Sequence, residues 1–471
     1  METIQHDAPR DYFDDAILHY SAKGAKGLEV SSFLMTLAAF QRGLEVVFHR
    51  SLLGKTPRFS AQASNGLAGS VFSVSDGKST HYFNRTLGDK TSLEASRLSQ
   101  HKQRTKMALA RVGIRTPEGV AVKSGDVATA TQFMAGSGTR RFVVKPLRGS
   151  LSVDAHIDLP AREITEIIAR SRNMEWLVEE YISGQEFRAY VVAEKCVGVA
   201  MRIHPSVVGN GVDSIERLLI TKNMQREANV LLGEYPFKFS HADLEYLQKM
   251  GLSPQDVIPK GKVVTLSTTK SILAGADTQN VSHAVNDSFR QVAVASCRAL
   301  GLPNAGLDIL ISDNPKRPGA FVLEANQRAL VGSHSFPSLG RGDGNSIAEA
   351  IMDLYFPDSV QNRRFPGASF DFSSVAQALK SCQISEVSLP VLKSDWHHCR
   401  LEFPDLTIRD AIAKILFDVG GYVRLMNLAN GAYIGDVLLS PASQAALMPH
   451  ATFVAGLSFE IASLLGLASH S

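Results

Sequence analysis

The chain has 471 residues, 44% hydrophobic and 20% charged, which is the composition of an ordinary globular protein with room for about two to four domains. Its 49 basic and 46 acidic residues leave a net charge of +3, which is too small to attract nucleic acid or a membrane surface. The four cysteines lack CxxC spacing, so we expect neither a zinc site nor a disulfide framework, and a reducing cytoplasm is the simplest location.

Neither end of the chain has the pattern of an export or membrane signal. Residues 1–7 are polar and acidic, which is wrong for a signal peptide. The apolar stretch at 451–468 contains Glu460 and small polar residues, and it is too short and broken to span a bilayer. We interpret it as a core or oligomer-forming helix.

Residues 1–97 are predicted to form a small N-terminal α/β domain. A helix over residues 31–41 ends at Gly43, and a strand follows at 44–48. Thr91-Ser-Leu-Glu94 has the pattern of a capping box and predicts a helix that runs through Lys102 and Lys106 to Gly113. The two lysines then lie one turn apart on the same face.

Residues 98–357 are predicted to contain the functional site. Helices alternate there with short strands, predicted at 142–145, 176–179, 187–193, 197–203, 307–311 and 321–326. One helix is capped by Asn286 and ends at Gly301. Residues 363–366 resemble a linker, and 358–471 form a separate segment without a recognisable site. In Trp396-His-His-Cys399, adjacent histidines on a strand face opposite ways, which argues against a metal site.

A lone lysine, Lys145, lies in the apolar strand Phe142-Val-Val-Lys-Pro146. An uncompensated buried cation is costly, so phosphate is a candidate partner, although an exposed sheet edge would also accept a lysine. The loop that follows, residues 148–152, offers one glycine and two hydroxyl groups.

The segment Leu177-Val-Glu-Glu-Tyr-Ile-Ser-Gly-Gln-Glu186 ends a strand at two acids and turns toward a third. Such a hinge can offer backbone hydrogen bonds to an adenine edge and a carboxylate to ribose hydroxyl groups. An ordinary strand-turn-strand with solvated acids remains the alternative.

Arg188 and Arg202 lie on the two arms of a predicted hairpin. A three-residue turn centred on Lys195 would set them opposite each other, and like charges in that position destabilise a sheet unless an anion bridges them. A two-residue turn would break this pairing.

The hairpin between Gly306 and Asn326 carries three oxygen ligands. Glu324 and Asn326 are two residues apart on a strand and point the same way, and a register symmetric about Lys316 sets Asp308 opposite Glu324. Because these groups lie on an otherwise apolar ribbon, they suit a hard cation such as Mg2+. A solvated hairpin edge is the alternative.

With these motifs together, the chain resembles the ATP-grasp superfamily, and more specifically the branch containing cyanophycin synthetase and the glutathione-synthetase half of bifunctional glutathione enzymes. The resemblance runs in order from about Gly27 to Pro357. It includes Lys-x-x-Thr-Lys, Val-Val-Lys-Pro, Glu-x-x-Ile-x-Gly-x-Glu-x-Arg, the segment 202–211, Gly-Leu-Asp-Ile and Glu-Ala-Asn, with His334, Pro337 and Gly340 in the closing segment.

The resemblance implies an α/β (α+β) ATP-grasp fold, with a pre-ATP-grasp domain at 1–97, the ATP-grasp domain at 98–357 and an extra segment at 358–471. It implies ATP and two Mg2+ ions as cofactors, with Mn2+ as an alternative metal. Phosphate-binding residues would be Lys102, Lys106 and Lys145; adenine-binding residues Glu179, Glu180, Tyr181 and Ile182; the ribose-binding residue Glu186; metal ligands Asp308, Glu324 and Asn326; and catalytic residues Arg202, Lys145 and Arg188.

The implied activity is that of a carboxylate–amine ligase, which joins a small acid and an amine through an acyl phosphate. The substrates are expected to be amino acids or a small peptide, and a dimer or tetramer is expected at the family level. Two alternatives stay open: a small-molecule kinase and a non-catalytic ATP-binding regulatory protein. The thinned lid at 148–153, the loop Ser271-Ile-Leu-Ala-Gly-Ala276 and Arg328 depart from the family pattern, and the last two lie where substrates should bind.

Overall fold

The computed structural model describes residue 18 and residues 21–52, 68–148, 154–362, 368–392, 397–403, 422–427 and 433–439. The helices in chain order are α1 (Glu29–Gln41), α2 (Leu93–Ser99), α3 (Lys102–Arg111), α4 (Val127–Gly136), α5 (Ala161–Arg170), α6 (Ile215–Glu227), α7 (His241–Lys249), α8 (Asp287–Leu300), α9 (Gly332–Ser335), α10 (Ser346–Tyr355) and α11 (Phe372–Lys380). Short 3-10 turns lie at Ala22–Gly24, Ile272–Ala274 and Pro357–Asn362.

The strands in chain order are β1 (Glu45–His49), β2 (Val71–Ser75), β3 (Thr80–Asn84), β4 (Leu87–Gly88), β5 (Gly119–Lys123), β6 (Arg141–Pro146), β7 (His156–Pro160), β8 (Glu175–Glu180), β9 (Gly184–Val192), β10 (Lys195–Ile203), β11 (Ser206–Val208), β12 (Val263–Thr265), β13 (Asp277–Asn280), β14 (Asn304–Ser312), β15 (Gly319–Asn326), β16 (Glu386–Ser388), β17 (His397–Phe403), β18 (Tyr422–Asn427) and β19 (Tyr433–Leu439). The mixed α/β class predicted from the sequence is therefore confirmed.

The chain divides into two compact units, one of Met1–Ala25, Ser32–Tyr82 and Tyr355–Ser471, the other of Lys26–Ser31 and Phe83–Leu354. The predicted domain boundaries at 97/98 and 357/358 stay predictions. The predicted linker at 363–366, the chain start, Trp396 and the apolar stretch at 451–468 lie outside the described residues. None of the described helices is long and apolar enough to cross a bilayer.

In the first unit, β16, β1, β2 and β3 lie side by side in one sheet, with β1 antiparallel to both β2 and β16. The predicted helix at 31–41 and strand at 44–48 correspond to α1 and β1. Five phenylalanines with ring centroids 5.6–6.5 Å apart form an aromatic core: Phe33, Phe40, Phe48, Phe370 and Phe372. Separately, β17, β19 and β18 form a three-stranded antiparallel sheet.

The second unit contains two antiparallel sheets that carry the predicted site. The smaller has the order β5-β8-β6-β7 and packs on α4 and α5 through a core that includes Val122, Phe142, Ile164 and Trp176. The larger has the order β13-β10-β9-β14-β15, and α8 packs on it through Phe289 and Ala293. A third core, around Val207, Leu247 and Leu266, holds the ribbon β11-β12 with α6 and α7.

Local sequence signals explain several element ends. Asn286 caps α8 by accepting from the Phe289 N–H at 3.0 Å, and Gly301 ends it with φ of 65°, as predicted. The six strands predicted in this unit correspond to β6, β8, β9, β10, β14 and β15.

The single helix predicted from residue 91 to Gly113 is wrong. Ser92, rather than Thr91, caps α2 by accepting from the Ala95 N–H at 3.0 Å, and α2 ends at Ser99. A new helix, α3, begins at Lys102 because His101 adopts an extended backbone and its ring nitrogen accepts from the Arg104 N–H. Lys102 therefore lies in the first turn of a helix rather than in its middle.

Candidate active site

The hairpin β14-β15 has the predicted facing pair. Asp308 pairs with Glu324 and Gly306 with Asn326, while Ile309 pairs with Val322. A β-bulge between Asp308 and Ile309 shifts the register by one residue, which the symmetric hairpin did not predict. Beyond the bulge the carboxylates lie opposite each other, as predicted, while Leu307 and Ile309 are fully buried on the other face.

Glu324 lies on β15 opposite Asp308. Among the described residues, no hydrogen bond or ion pair to its side chain is seen. Burial and the neighbouring Asp308 carboxylate raise the pKa of Glu324 above its usual value, while Lys102 and Lys145 oppose the rise. The Asn326 side-chain N–H donates to Asp308 at 3.3 Å, so all three predicted ligands share one face.

Arg188 and Arg202 do not lie opposite each other, so that conditional pairing was wrong. The turn between β9 and β10 has two residues, and it places Arg188 opposite Ala200. Both guanidinium groups nevertheless meet at Asp308, because β14 lies next to β9 in the sheet. Arg188 forms a two-pronged pair with Asp308, with Nη2 at 2.9 Å from Oδ2, and Arg202 Nη2 lies 3.1 Å from Oδ1.

The bridging anion is thus a protein carboxylate. Burial raises the pKa of Asp308, but the two arginines outweigh it and hold the pKa below its usual value. The carboxylate stays ionised, with Arg188 and Arg202 fixed around it.

Glu186, the predicted ribose ligand, lies on β9 beside the same cluster. Arg202 Nε is 3.4 Å from its carboxylate, and burial raises the pKa of Glu186 against the charge of Arg202. Lys270 was missed in the sequence: it donates to the Gly184 carbonyl at 3.1 Å, and burial lowers its pKa while Glu186 opposes that effect. Its position next to the divergent loop at 271–276 was the available signal.

Glu179 is the centre of a buried charge triad on the smaller sheet. The residue as a whole is 2% exposed, and its two carboxylate oxygens are held by Lys106 and by Lys145, the latter at 2.6 Å. Burial by itself would raise the pKa of Glu179, but the charges of Lys145 and Lys106 outweigh burial and hold the pKa below its usual value. The lone strand lysine therefore has a carboxylate partner, and any adenine contact by the Glu179 side chain would compete with two lysines.

The segment predicted to bind adenine through its backbone, residues 180–182, comes directly after Glu179 in the chain. The Glu180 N–H donates to the Glu118 carbonyl at 3.0 Å, and the Tyr181 N–H donates to the Arg141 carbonyl at 2.9 Å. For the Ile182 N–H, no acceptor is found among the described residues. The Glu180 carboxylate accepts from Arg317, which the sequence reading also missed because it lies 137 residues away.

Two segments flank these charged clusters, the predicted lid and the loop at 271–276. Of the predicted lid at 148–153, residues 149–153 lie outside the described residues, so the lid is described only at Arg148. The loop at 271–276 forms a short turn that ends at Gly275, with φ of 87°. It leads into β13, whose Thr278 pairs with Arg202 on β10, so the divergent loop borders the arginine–carboxylate cluster.

His334, part of the resemblance, is fully buried beneath the cluster. Burial, with Arg188 and Arg202, lowers its pKa to about 3, so the imidazole is neutral. Its ring stands edge-on to Tyr190 with centroids 6.1 Å apart. Within the described parts of the chain, neither ring nitrogen has a hydrogen-bond partner.

The hairpin chemistry fits a hard divalent cation. Two facing carboxylates and an amide supply oxygen ligands, and the raised pKa of Glu324 is the mark of an uncompensated charge. The described residues contain no cluster of three or more His, Cys, Asp or Glu side chains suited to a metal. A cation here would therefore complete its shell with phosphate oxygens and water, as Mg2+ commonly does.

Comparison with known proteins finds relatives over most of the chain, although no family model matches it. The glutathione biosynthesis bifunctional protein of Streptococcus thermophilus (strain CNRZ 1066) is 26% identical over 369 residues, covering 75% of this chain and 46% of that protein. Cyanophycin synthetase of Geminocystis herdmanii (strain PCC 6308) is 27% identical over 291 residues, covering 59% of this chain and 32% of that protein.

Among solved structures, a bifunctional glutathione synthetase from Pasteurella multocida has a TM-score of 0.46 and 21% identity, over 61% of this chain and 40% of that one. The chain spans less than half the length of these relatives. The sequence relatives confirm the resemblance drawn from the motifs: the chain is a homologue of the bifunctional glutathione proteins and cyanophycin synthetases of the ATP-grasp superfamily.

Proposed function

We propose that this chain is an ADP-forming carboxylate–amine ligase that makes an amide or peptide bond through an acyl phosphate. The observation that carries the proposal is Asp308, which faces Glu324 and is held by Arg188 and Arg202 in one buried cluster. The relatives are named for glutathione and cyanophycin synthesis, which supports amino acids or a small peptide as substrates.

The nucleotide would lie between the two sheets of the second unit. The Ile182 N–H, which has no acceptor within the described residues, would donate to an adenine ring nitrogen, and Glu186 would accept from ribose hydroxyl groups. Lys145 has three N–H donors and commits one to Glu179, which leaves two for phosphate oxygens. Lys102 and Lys106 would add positive charge, with Lys106 acting mainly by holding Glu179.

Asp308, Glu324 and Asn326 would hold the metal, as two Mg2+ ions with Mn2+ as a substitute. When bound, the metal neutralises phosphate charge as a Lewis acid. Metal binding at Glu324 would also offset the burial and the repulsion from Asp308 that raise its pKa.

The reaction has two steps. A carboxylate oxygen of the acid attacks the γ-phosphorus, the bond to the β-γ bridging oxygen breaks, and ADP leaves. The amine nitrogen then attacks the acyl carbon, the carbon–oxygen bond to phosphate breaks, and the amine loses a proton. Arg202, Arg188 and Lys145 offset the charge of the moving phosphoryl group, so catalysis is by positioning and electrostatics without a protein nucleophile.

Three further features are part of the proposal and rest on the resemblance or on composition. They are a division into pre-ATP-grasp, ATP-grasp and C-terminal domains, assembly into a dimer or tetramer, and a cytoplasmic location. Size-exclusion chromatography with light scattering tests the assembly directly.

The decisive experiment measures ADP and phosphate release with Mg-ATP while amino acids are supplied singly and in pairs, with mass spectrometry of the products. A ligase requires two substrates and gives a product lighter than their sum by one water. ADP without free phosphate, from one substrate alone, would instead identify a kinase. ATP binding without stimulated turnover from a broad panel would favour an ATP-binding regulatory protein.

The variant Glu324→Gln tests the metal assignment by removing one proposed ligand. The matched control is Glu163→Gln, the same change on the exposed face of α5. We expect Glu324→Gln to abolish turnover and to leave the free energy of unfolding unchanged or higher, because it removes a repelling buried charge. Full turnover in Glu324→Gln would refute the metal assignment.

A further inference from the structure

Two arginines beside the arginine–carboxylate cluster lack acidic partners. Arg85 lies in the turn between β3 and β4, and Arg328 follows the end of β15. Both are partly buried. Among the described residues, no ion pair or hydrogen bond to either guanidinium group is seen. Within the described part of the chain, no acidic side chain therefore neutralises the positive charge at these two positions.

Two hydrogen bonds from side chains to backbone carbonyls join the segments that carry the two arginines. The Thr86 hydroxyl donates to the Ala329 carbonyl at 3.1 Å, so the residue after Arg85 is joined to the residue after Arg328. The Asn304 amide donates to the Thr86 carbonyl at 3.0 Å, and both residues are buried. The turn carrying Arg85 is thus fixed against the segment carrying Arg328.

Arg85 has a backbone conformation that costs free energy. Its φ is 56°, in the left-handed region that residues other than glycine rarely adopt. Such conformations persist where the surrounding structure enforces them, and they are concentrated at binding and active sites.

Electrostatics point the same way. Burial and the charge of Arg328 lower the pKa of Arg85 to about 10, which still leaves it charged at neutral pH. Two charged guanidinium groups that repel each other in a partly buried place gain most from an anion that both can bind.

The pair lies next to the proposed reaction centre. A Cβ built on Gly306 would lie 2.4 Å from the Ala329 Cβ and 3.0 Å from the Arg188 Cδ, so the side chains of Ala329 and Arg188 both lie beside Gly306. Arg188 is in turn bound to Asp308. A short molecule could therefore reach from the arginine pair to the transferred phosphoryl group.

We propose that Arg85 and Arg328 bind a second carboxylate of the acid substrate, distinct from the carboxylate that is phosphorylated. The substrate class is then a short dicarboxylic acid, or an amino acid or peptide with a further free carboxylate. Two guanidinium forks suit the planar, two-oxygen geometry of that group. This inference rests on the proposed ligase function for its turnover test and is independent of it for its binding test.

The turnover test uses succinate, glutarate and adipate, each against its own monoamide, with hydroxylamine as the amine that traps the acyl phosphate. Arg85→Gln and Arg328→Gln should each raise KM for the preferred diacid about tenfold to a hundredfold, the value of one charge-assisted hydrogen bond. KM for ATP and for the monoamide should not change. Arg172→Gln, an exposed arginine, is the matched control.

The binding test uses the same diacids in calorimetry without turnover, on the wild type and the Arg85→Gln/Arg328→Gln double variant. Diacid binding by the wild type that is lost in a folded double variant, as judged by circular dichroism and ATP binding, supports the site even if no ligase activity is found. Equal diacid binding by both proteins, no diacid binding by the wild type, or KM changes shared by diacid and monoamide would overturn the proposal.

Discussion

The buried triad of Glu179, Lys106 and Lys145 predicts unequal costs for replacing its members. Each oxygen of the Glu179 carboxylate is held by one lysine. Replacing Glu179 by Gln leaves two lysine charges facing each other without a counterion. Replacing Lys106 by Met leaves a neutral Glu179–Lys145 pair. We therefore expect Glu179→Gln to be far more destabilising than Lys106→Met.

The magnitudes follow from burial. The Glu179 side chain is 3% exposed, and those of Lys106 and Lys145 are 9% and 16% exposed. Leaving a charge buried and unpaired costs about 3–5 kcal/mol, which is the expected loss for Glu179→Gln. Lys106→Met loses one charge-assisted hydrogen bond but keeps the packing of an apolar stem, so its expected cost is at most about 2 kcal/mol.

Urea unfolding followed by tryptophan fluorescence measures this difference. Of the two tryptophans, Trp176 lies on β8 in the same sheet and donates to the Ser171 hydroxyl at 2.9 Å, so a Trp396→Phe background makes the signal local. The reasoning is refuted if Lys106→Met costs as much as Glu179→Gln.

The same triad predicts an acid limb in the stability curve. Burial raises the pKa of Glu179, but Lys145 and Lys106 lower it below the unfolded value of 4.5. Its stabilising contribution is thus complete above that value and is lost as the pH falls through the lower folded pKa. Glu179→Gln should lack this contribution, so its stability should fall less steeply with acid than that of the wild type.

Two further predictions concern residues around the cluster. The pKa of His334 is about 3 in the folded protein and 6.5 in the unfolded chain, so the free energy of unfolding should fall by about 1.4 kcal/mol per pH unit below pH 6.5. The His334→Phe variant should lack this slope when its unfolding is measured across the same pH range. Parallel curves of unfolding free energy against pH for the two proteins would contradict the prediction. Gly306→Ala would place a methyl group 2.4 Å from Ala329, so urea unfolding should show a loss of about 1–3 kcal/mol and phosphate release should fall. Gly136→Ala, which meets open space, should cost nothing, and equal losses in the two variants would argue against a steric cause.

Patterns local in the chain were sufficient for much of this fold. The alternation of side chains along β14 and β15 correctly set Asp308 opposite Glu324, and the Asn286 and Gly301 signals correctly bounded α8. Local patterns failed where a single backbone conformation decides the outcome. The extended backbone of His101, which divides α2 from α3, is such a case, because its cap is a ring nitrogen rather than a typical capping hydroxyl.

The pairing of opposite charges is decided by the tertiary structure, and a short sequence motif does not contain that information. The hairpin of Arg188 and Arg202 suggested a missing anion, and Lys145 suggested a missing phosphate. Their carboxylate partners lie on strands that come close only in the folded sheet. Asp308 lies on β14, which pairs with β9, the strand that carries Arg188, and Glu179 lies on β8, which pairs with β6, the strand that carries Lys145. With these acids committed, neither Glu324 nor the two arginines Arg85 and Arg328 have an ion pair among the described residues. Unmatched groups of opposite sign beside one cluster are what a site for a metal and an anionic substrate requires.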